Sequence, residues 1–378
     1  MKKYLNILLD NEKIIKTALI IYALYCAFII GVSWDELYYH EIGKINLKYL
    51  LSFGQIEESF IYKYRFSTLY WSLSSLINQI FPKHLSLEIF HLINTIFGLM
   101  TIVGLYRINK ILFNKTIAKI SSIFLFLIPF FFGHLAINNK DIILAFSHVW
   151  IVYYVYKYTF LNFKFKKKLL LILKISILAA LGTGIQLLFL GSLIPVIFIF
   201  LAIIFLNKKK ILKNVFFDFI LFFLFFYFIL VLFWVDTHDN IILLPYSFFI
   251  KTFSMEIGWP YSLLNGVYID KDNIPYNYLL INYFYKLPEF ILFLYLVAIP
   301  IFFVNRIFLK KNFKNFETKI ILILFLLAFP TVVMIFIPYP IYDGLRLFLW
   351  SAPYLAILPS IVFYLIFIKY NIFYNLIK

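Results

Sequence analysis

The chain has 378 residues, of which 63% are hydrophobic, 22% aromatic and only 14% charged. A soluble domain carries roughly twice that charge, so a water-soluble enzyme is excluded. The net charge of +17 does not mark a nucleic-acid binder, because the lysines gather in short clusters between apolar runs, the pattern of cytoplasmic loops in membrane proteins.

Apolar runs near 20 residues, long enough to cross the hydrocarbon core as helices, recur at about 14–33, 87–106, 117–135, 141–160, 169–188, 189–206, 214–235, 286–304, 318–337 and 348–368. The first is too long for a signal-peptide core and no small-residue cleavage site follows it, so it reads as a retained span. The single cysteine, Cys26, lies inside it and leaves no intrachain disulfide. Directly after it comes GVSWDELYYHEIG (31–43), with Asp35 and Glu36 side by side at the membrane edge.

The stretch FSTLYWSLSSLINQIF (66–81) divides into two faces. Leu69, Tyr70, Leu73, Leu76 and Ile77 fall on one; Ser67, Ser72, Ser74, Ser75 and Asn78 fall on the other. A helix this amphipathic belongs in the interface rather than across the bilayer. With 66–81 not spanning, the loops alternate with both termini inside, and 25 of the 35 Lys and Arg fall on the inner side. The expected fold class is therefore an all-α polytopic integral membrane protein, with about ten spans and an interfacial juxtamembrane helix. It reads as a single membrane domain, residues 1–378, in a bacterial inner membrane. No internal repeat of the kind that builds many transporters is visible.

The acids follow the opposite rule, since 14 of the 18 fall outside. The long polar segments 34–86 and 236–285 are also outer. In AINNKDIIL (136–144) a short outer turn ends in Lys140 and Asp141, and Asp141 opens the next span. An Asp there is first expected to cap the helix. Yet Asp35 and Asp141, far apart in sequence, emerge on the same face. Two carboxylates at one interface with cations nearby suit transfer from a phosphorylated donor. One carboxylate takes the proton from the acceptor, and cations such as Lys140 and Arg346 hold the leaving phosphate.

WDELYY after the first span, NKD before a later one and YDGLRLF (342–348) before the last are together similar to the GT-C glycosyltransferases. The chain most resembles glycosyltransferase family 39, the branch of the dolichyl-phosphate-mannose protein mannosyltransferases and bacterial aminoarabinose transferases. Gly266, Pro275, Tyr278, Pro288 and Glu289 match a stretch seen in its bacterial members. The resemblance implies an inverting transfer of a sugar from a polyprenyl-phosphate donor to a glycan, lipid or protein acceptor on the outer, extracytoplasmic face. It implies Asp35 as the base, Glu36 as a group orienting base or acceptor, and Asp141 as the second acid. Lys140, Arg346 and Arg65 would serve the donor phosphate, with His40, Trp259, Tyr278 and Asp343 lining the substrate cleft.

Two departures stand out. The prolines expected after Arg65 are absent, and Leu347 stands where a histidine is expected. The chain also stops at the last span, without the soluble domain some relatives use to select acceptors, which points to a lipid or glycan acceptor.

The blander readings are an aromatic belt for Trp34, Tyr38, Tyr39, Trp71 and Trp259, and structural roles for the histidines, which show no ligand spacing. A divalent cation at HDN (238–240) with Asp236 is the one cofactor left open, against a solvated loop start. The alternatives to a transferase are a transporter or flippase of lipid-linked glycans, or a polymerase or ligase of another polyprenyl-linked class. Transport asks for polar or ionisable groups deep in spans, where the candidates are few: Asp218 near an inner end, Gln186 and His148, with Glu289 near an outer end.

Overall fold

The computed structural model describes residues 12–33, 35–55, 66–160, 165–207, 212–253, 261–270, 273–336, 341 and 343–369. It is mostly helical. In chain order the elements used below are α1 (Glu12–Ile29), α2 (Glu36–Leu51), α3 (Leu69–Asn78), α4 (Ser86–Leu112), α5 (Lys115–Phe126), α6 (Asp141–Phe160), α7 (Phe165–Ile185), α8 (Ile194–Asn207), α9 (Leu212–Leu232), the strands β1 (Tyr261–Leu264) and β2 (Val267–Asp270), α10 (Tyr278–Lys286), α11 (Glu289–Leu296), α12 (Ala298–Val304) and α13 (Phe316–Phe336). Short helical turns over Arg346–Phe367 complete the described chain.

Among the described residues five helices are long and apolar enough to cross a membrane, or six if the pair α10–α11, bent by 119°, counts as one broken span. The other five expected spans form helices too, and four of them show a physical reason for falling short. Glu12, Lys13 and Lys16 charge the start of α1. Pro129 follows closely on the end of α5, and the helix stops before it. The run 189–206 breaks at Leu193, between Gly191 and Pro195, so that α8 begins only at Ile194. The run 286–304 divides at Val297 into α11 and α12.

The chain forms two compact units: one of Gly31–Asn94 and Ile137–Pro260, the other of Met1–Ile30, Thr95–Ala136 and Tyr261–Lys378. In the first, α6, α7 and α9 pack together. Asp218 fastens all three: its Oδ1 lies 2.8 Å from Lys168 Nζ, and the Tyr158 hydroxyl donates to its Oδ2. The most promising ionisable group for a transport path is thus spent on an ion pair and a hydrogen bond.

In the same unit α2 lies against α3. Gly43 permits the approach, since a Cβ there would fall 2.4 Å from the Trp71 carbonyl oxygen. The amphipathic helix α3 buries Leu69, Tyr70 and Trp71 at its start, and beyond them its burial is the reverse of a soluble helix's. Its polar residues Ser72, Ser74, Ser75 and Asn78 are buried, while Leu73, Leu76 and Ile77 are exposed. Oily side chains facing outward and hydroxyls facing inward are compatible with the interfacial helix expected over 66–81.

The other unit holds a two-stranded antiparallel hairpin, β1–β2, pairing Tyr261 with Asp270 and Leu264 with Val267. Asn265 and Gly266 form its tip, both at positive φ, the conformation an Asn-Gly hairpin turn requires. Leu264 packs with Tyr278, Leu279, Met334, Ile341 and Leu345 in a buried apolar cluster.

Candidate functional site

The first pair of acids, Asp35 and Glu36, begins α2. Ser33-Trp34-Asp35-Glu36 fits the S-x-x-E pattern of a capping box, in which the acid of the first turn reaches back to an orphan amide. The Ser33 backbone N–H donates to Glu36 Oε2 at 2.7 Å. The Ser33 hydroxyl does not complete the box; it donates across to the Ile137 carbonyl oxygen at 3.3 Å. That bond fastens the Asp35 segment to the turn carrying Lys140 and Asp141. Asp35 stands at the N-cap of α2 with no side-chain bond to the helix amides, and it is half-buried.

Glu36 goes inward and is 1% exposed. Its Oε1 lies 2.8 Å from Nε2 of His91 on α4, a histidine with no exposure at all. Each carboxylate oxygen therefore has a protein partner. His91 is the residue that sequence reasoning passed over: it sits far along the chain on another helix, where no spacing rule reaches.

The second acid is arranged in a similar way. Asn138, rather than Asp141, caps α6: its Oδ1 accepts the Asp141 N–H at 2.8 Å and the Lys140 N–H at 3.2 Å. Asp141, 2% exposed, accepts from Asn138 Nδ2 at 2.9 Å. The expected capping role thus passes to Asn138, whose short amide reaches two successive amides from outside the helix. The Lys140 ammonium lies 5.2 Å from the Tyr39 ring centroid and 5.9 Å from that of Phe66. Tyr39 in turn stacks on Trp71 at 4.6 Å. Aromatic faces keep a cation charged while partly desolvating it.

The structure places His40 in the interior, not on an open wall. It stacks flat on Phe90, with centroids 3.6 Å apart. Burial pushes its pKa down to about 3, with the neighbouring His91 and Lys44 adding to the effect. Because this lies below the unfolded value of about 6.5, the unfolded chain binds the extra proton. The stabilisation is full above about pH 6.5 and is lost as the pH falls toward 3. We expect the thermal midpoint in detergent to drop between pH 7 and 5, and to drop less in His40→Phe. Equal slopes in the two proteins would remove His40 as the cause.

Tyr278, Asp343 and Arg346 lie in the other unit, where they form a cluster of their own. Asp343 and Gly344 both take the left-handed conformation, with φ of 57° and 64°, which Asp tolerates and Gly favours. The Gly344 N–H donates to the Tyr278 hydroxyl at 3.0 Å, and that hydroxyl lies 2.7 Å from Ser262 Oγ. Arg346 donates to Asp343 Oδ2 at 3.1 Å. Tyr278 is fully buried, so it is the post on which the turn holding Arg346 is hung. Tyr278→Phe should cost about 1–3 kcal/mol by leaving the Gly344 amide without its acceptor. A thermal midpoint equal to wild type would contradict that.

Arg65 and Trp259 lie outside the described residues. His238 Nε2 is 3.0 Å from the Val231 carbonyl oxygen. Among the described residues no three His, Cys, Asp or Glu side chains are grouped to hold a metal ion.

No family model and no curated protein matches the chain. Solved structures do. ArnT from Cupriavidus metallidurans in the apo state is similar over 93% of this chain, with a TM-score of 0.62 and 11% identity. The same ArnT bound to undecaprenyl phosphate is similar over 93% with a TM-score of 0.60 and 10% identity. The match takes in 59% and 60% of the ArnT chains, so this protein spans about three fifths of their length. The expected resemblance to the aminoarabinose-transferase branch of the GT-C glycosyltransferases is thereby met in the architecture: the chain has an ArnT-like fold.

Proposed function

We propose that the protein is a membrane glycosyltransferase that moves a sugar from a polyprenyl-phosphate donor to an acceptor at the extracytoplasmic face. The observation that carries this reading is the Ser33–Ile137 bond, which ties the Asp35 segment to the Lys140–Asp141 turn within a fold like that of ArnT. That one ArnT structure holds undecaprenyl phosphate supports a lipid-phosphate donor here. The loop charges support about ten spans with both termini inside.

In the proposed step Asp35 takes the proton of an acceptor hydroxyl as that oxygen bonds to the anomeric carbon. The bond from that carbon to the phosphate oxygen breaks, its electron pair stays with the polyprenyl phosphate, and the configuration inverts. Lys140, held charged over Tyr39, meets the growing phosphate charge. Asp141 orders the turn on which Lys140 stands and, on the resemblance, belongs to the sugar or acceptor side. Arg346 as a further phosphate ligand rests on the resemblance alone.

A mass-spectrometric survey of lipid-linked and surface glycans, in cells with and without the gene, tests the reading. A glycan that lacks one sugar only when the gene is absent supports it. Unchanged glycans with a polyprenyl-linked precursor accumulating on the cytoplasmic side would instead indicate a flippase.

A further inference from the structure

The two adjacent acids of the first outer loop are not equivalent. Glu36 is enclosed: Oε2 accepts the Ser33 N–H at 2.7 Å, Oε1 faces His91 Nε2 at 2.8 Å, and the side chain is 1% exposed. At that burial it presents no surface to an acceptor sugar or lipid. Nδ1 and Nε2 of His91 are both buried without a well-aligned hydrogen bond among the described residues, and Nε2 lies 2.8 Å from Glu36 Oε1, the close contact by which the imidazole engages that carboxylate. A buried polar group is normally satisfied on every side, and a histidine at zero exposure is costly to keep for packing alone.

Asp35 is joined by one peptide bond to Glu36 and begins the same helix. Whatever fixes Glu36 therefore fixes the backbone from which the Asp35 side chain springs. We infer that His91 is a positioning residue: it holds Glu36, through Glu36 the first turn of α2, and so the aim of the Asp35 carboxylate. This rests on the reading of Asp35 as base.

The surroundings fit a rigid bracket. His40 lies one turn beyond Glu36 on α2 and is neutral, stacked on Phe90 next to His91 in sequence. Tyr70 from α3 is close enough to feel the Glu36 charge, and its hydroxyl donates to Asn94 Oδ1 at 3.1 Å. Three helices thus meet around one buried carboxylate. A misplacement of about 1 Å at a reacting group can lower a rate about 100-fold.

The bracket makes a prediction that a catalytic Glu36 would not. In Glu36→Gln the amide oxygen still accepts the Ser33 N–H, and the amide NH₂ donates to His91 in its other neutral tautomer. The charge is lost and the geometry kept. His91→Gln likewise keeps a donor near the position of Nε2, whereas His91→Leu removes it.

The experiment uses the full chain in proteoliposomes, with lipids extracted from the host as the source of donor and acceptor. Release of polyprenyl phosphate is measured per folded molecule, at saturating extract and as a function of extract. We expect His91→Leu to lower the saturated rate about 10- to 100-fold while the half-saturating extract stays within about twofold. His91→Gln and Glu36→Gln should stay within about tenfold of wild type, and Asp35→Asn should show no release. If His91→Leu does not fold, the two Gln variants carry the test.

A purely structural His91 would lower the thermal midpoint and leave the rate per folded molecule unchanged, which would overturn the inference. A Glu36→Gln protein as inactive as Asp35→Asn would overturn it too, because Glu36 would then act through its charge. Full release by Asp35→Asn would instead sink the base assignment itself, a separate failure.

Discussion

Asp35→Asn should lose transfer by about 10²- to 10⁴-fold, the usual worth of a general base, while folding as the wild type does. Asn preserves size and hydrogen-bonding capacity but cannot take a proton from an acceptor at neutral pH. The fold should tolerate it because the Asp35 side chain makes no bond to the amides of α2 and is only half-buried. The buried contacts at this corner are made by Glu36 instead, whose Oε2 accepts the Ser33 N–H. The measurement is polyprenyl-phosphate release per folded molecule, with the thermal midpoint recorded beside it. Near-normal turnover would show that the base lies elsewhere, and a collapsed midpoint would show that Asp35 is structural.

Gly43→Ala should destabilise the protein even though alanine is the better helix former. In mid-helix the exchange is worth about 1 kcal/mol in favour of alanine. Against it stands a Cβ placed 2.4 Å from the Trp71 carbonyl oxygen and 2.7 Å from Ser75 Oγ. Ser75 can rotate away, but the carbonyl belongs to the backbone of α3 and cannot. Overpacking of this kind costs about 1–3 kcal/mol, and more where main chain must move. The clash therefore outweighs the propensity, and a larger side chain should do more damage. A midpoint raised by Gly43→Ala would mean that α2 and α3 part easily, which their shared buried face argues against.

Much of the architecture was legible because the bilayer imposes a coarse rule. Long apolar runs must become helices, and basic loops must stay inside. The DE, NKD and DGLR segments pointed to the ArnT-like fold despite identities of 10–11%, since each stands at the edge of a long apolar run. The breaks at Leu193 and Val297 were not legible from hydropathy, which counts residues and ignores where proline or glycine interrupts the helix. The division of labour between Asp35 and Glu36 was hidden for a different reason. S-x-x-E at 33–36 and N-x-x-D at 138–141 are both first-turn capping patterns, and each gives its last acid a structural partner before any chemistry is considered. Read that way, Asp35 is the acid outside both patterns. His91 could not be found so, because its partner lies on another helix and only the folded chain brings the two together.

The reversed helix α3 carries a consequence for anyone who handles or redesigns this protein. Leu73, Leu76 and Ile77 look like solubility defects by the standards of a water-soluble surface, and a design that replaced them with serine or lysine would follow the usual practice. It would strip the outward side of its apolar surface while Leu69, Tyr70 and Trp71 stayed buried against the protein. The packing would survive and, on the proposed reading of α3 as an interfacial helix, its hold on the membrane boundary would be lost. On that same proposed reading, the exposed Leu73, Leu76 and Ile77 are the surface that a detergent or nanodisc has to solvate if α3 is to keep its place.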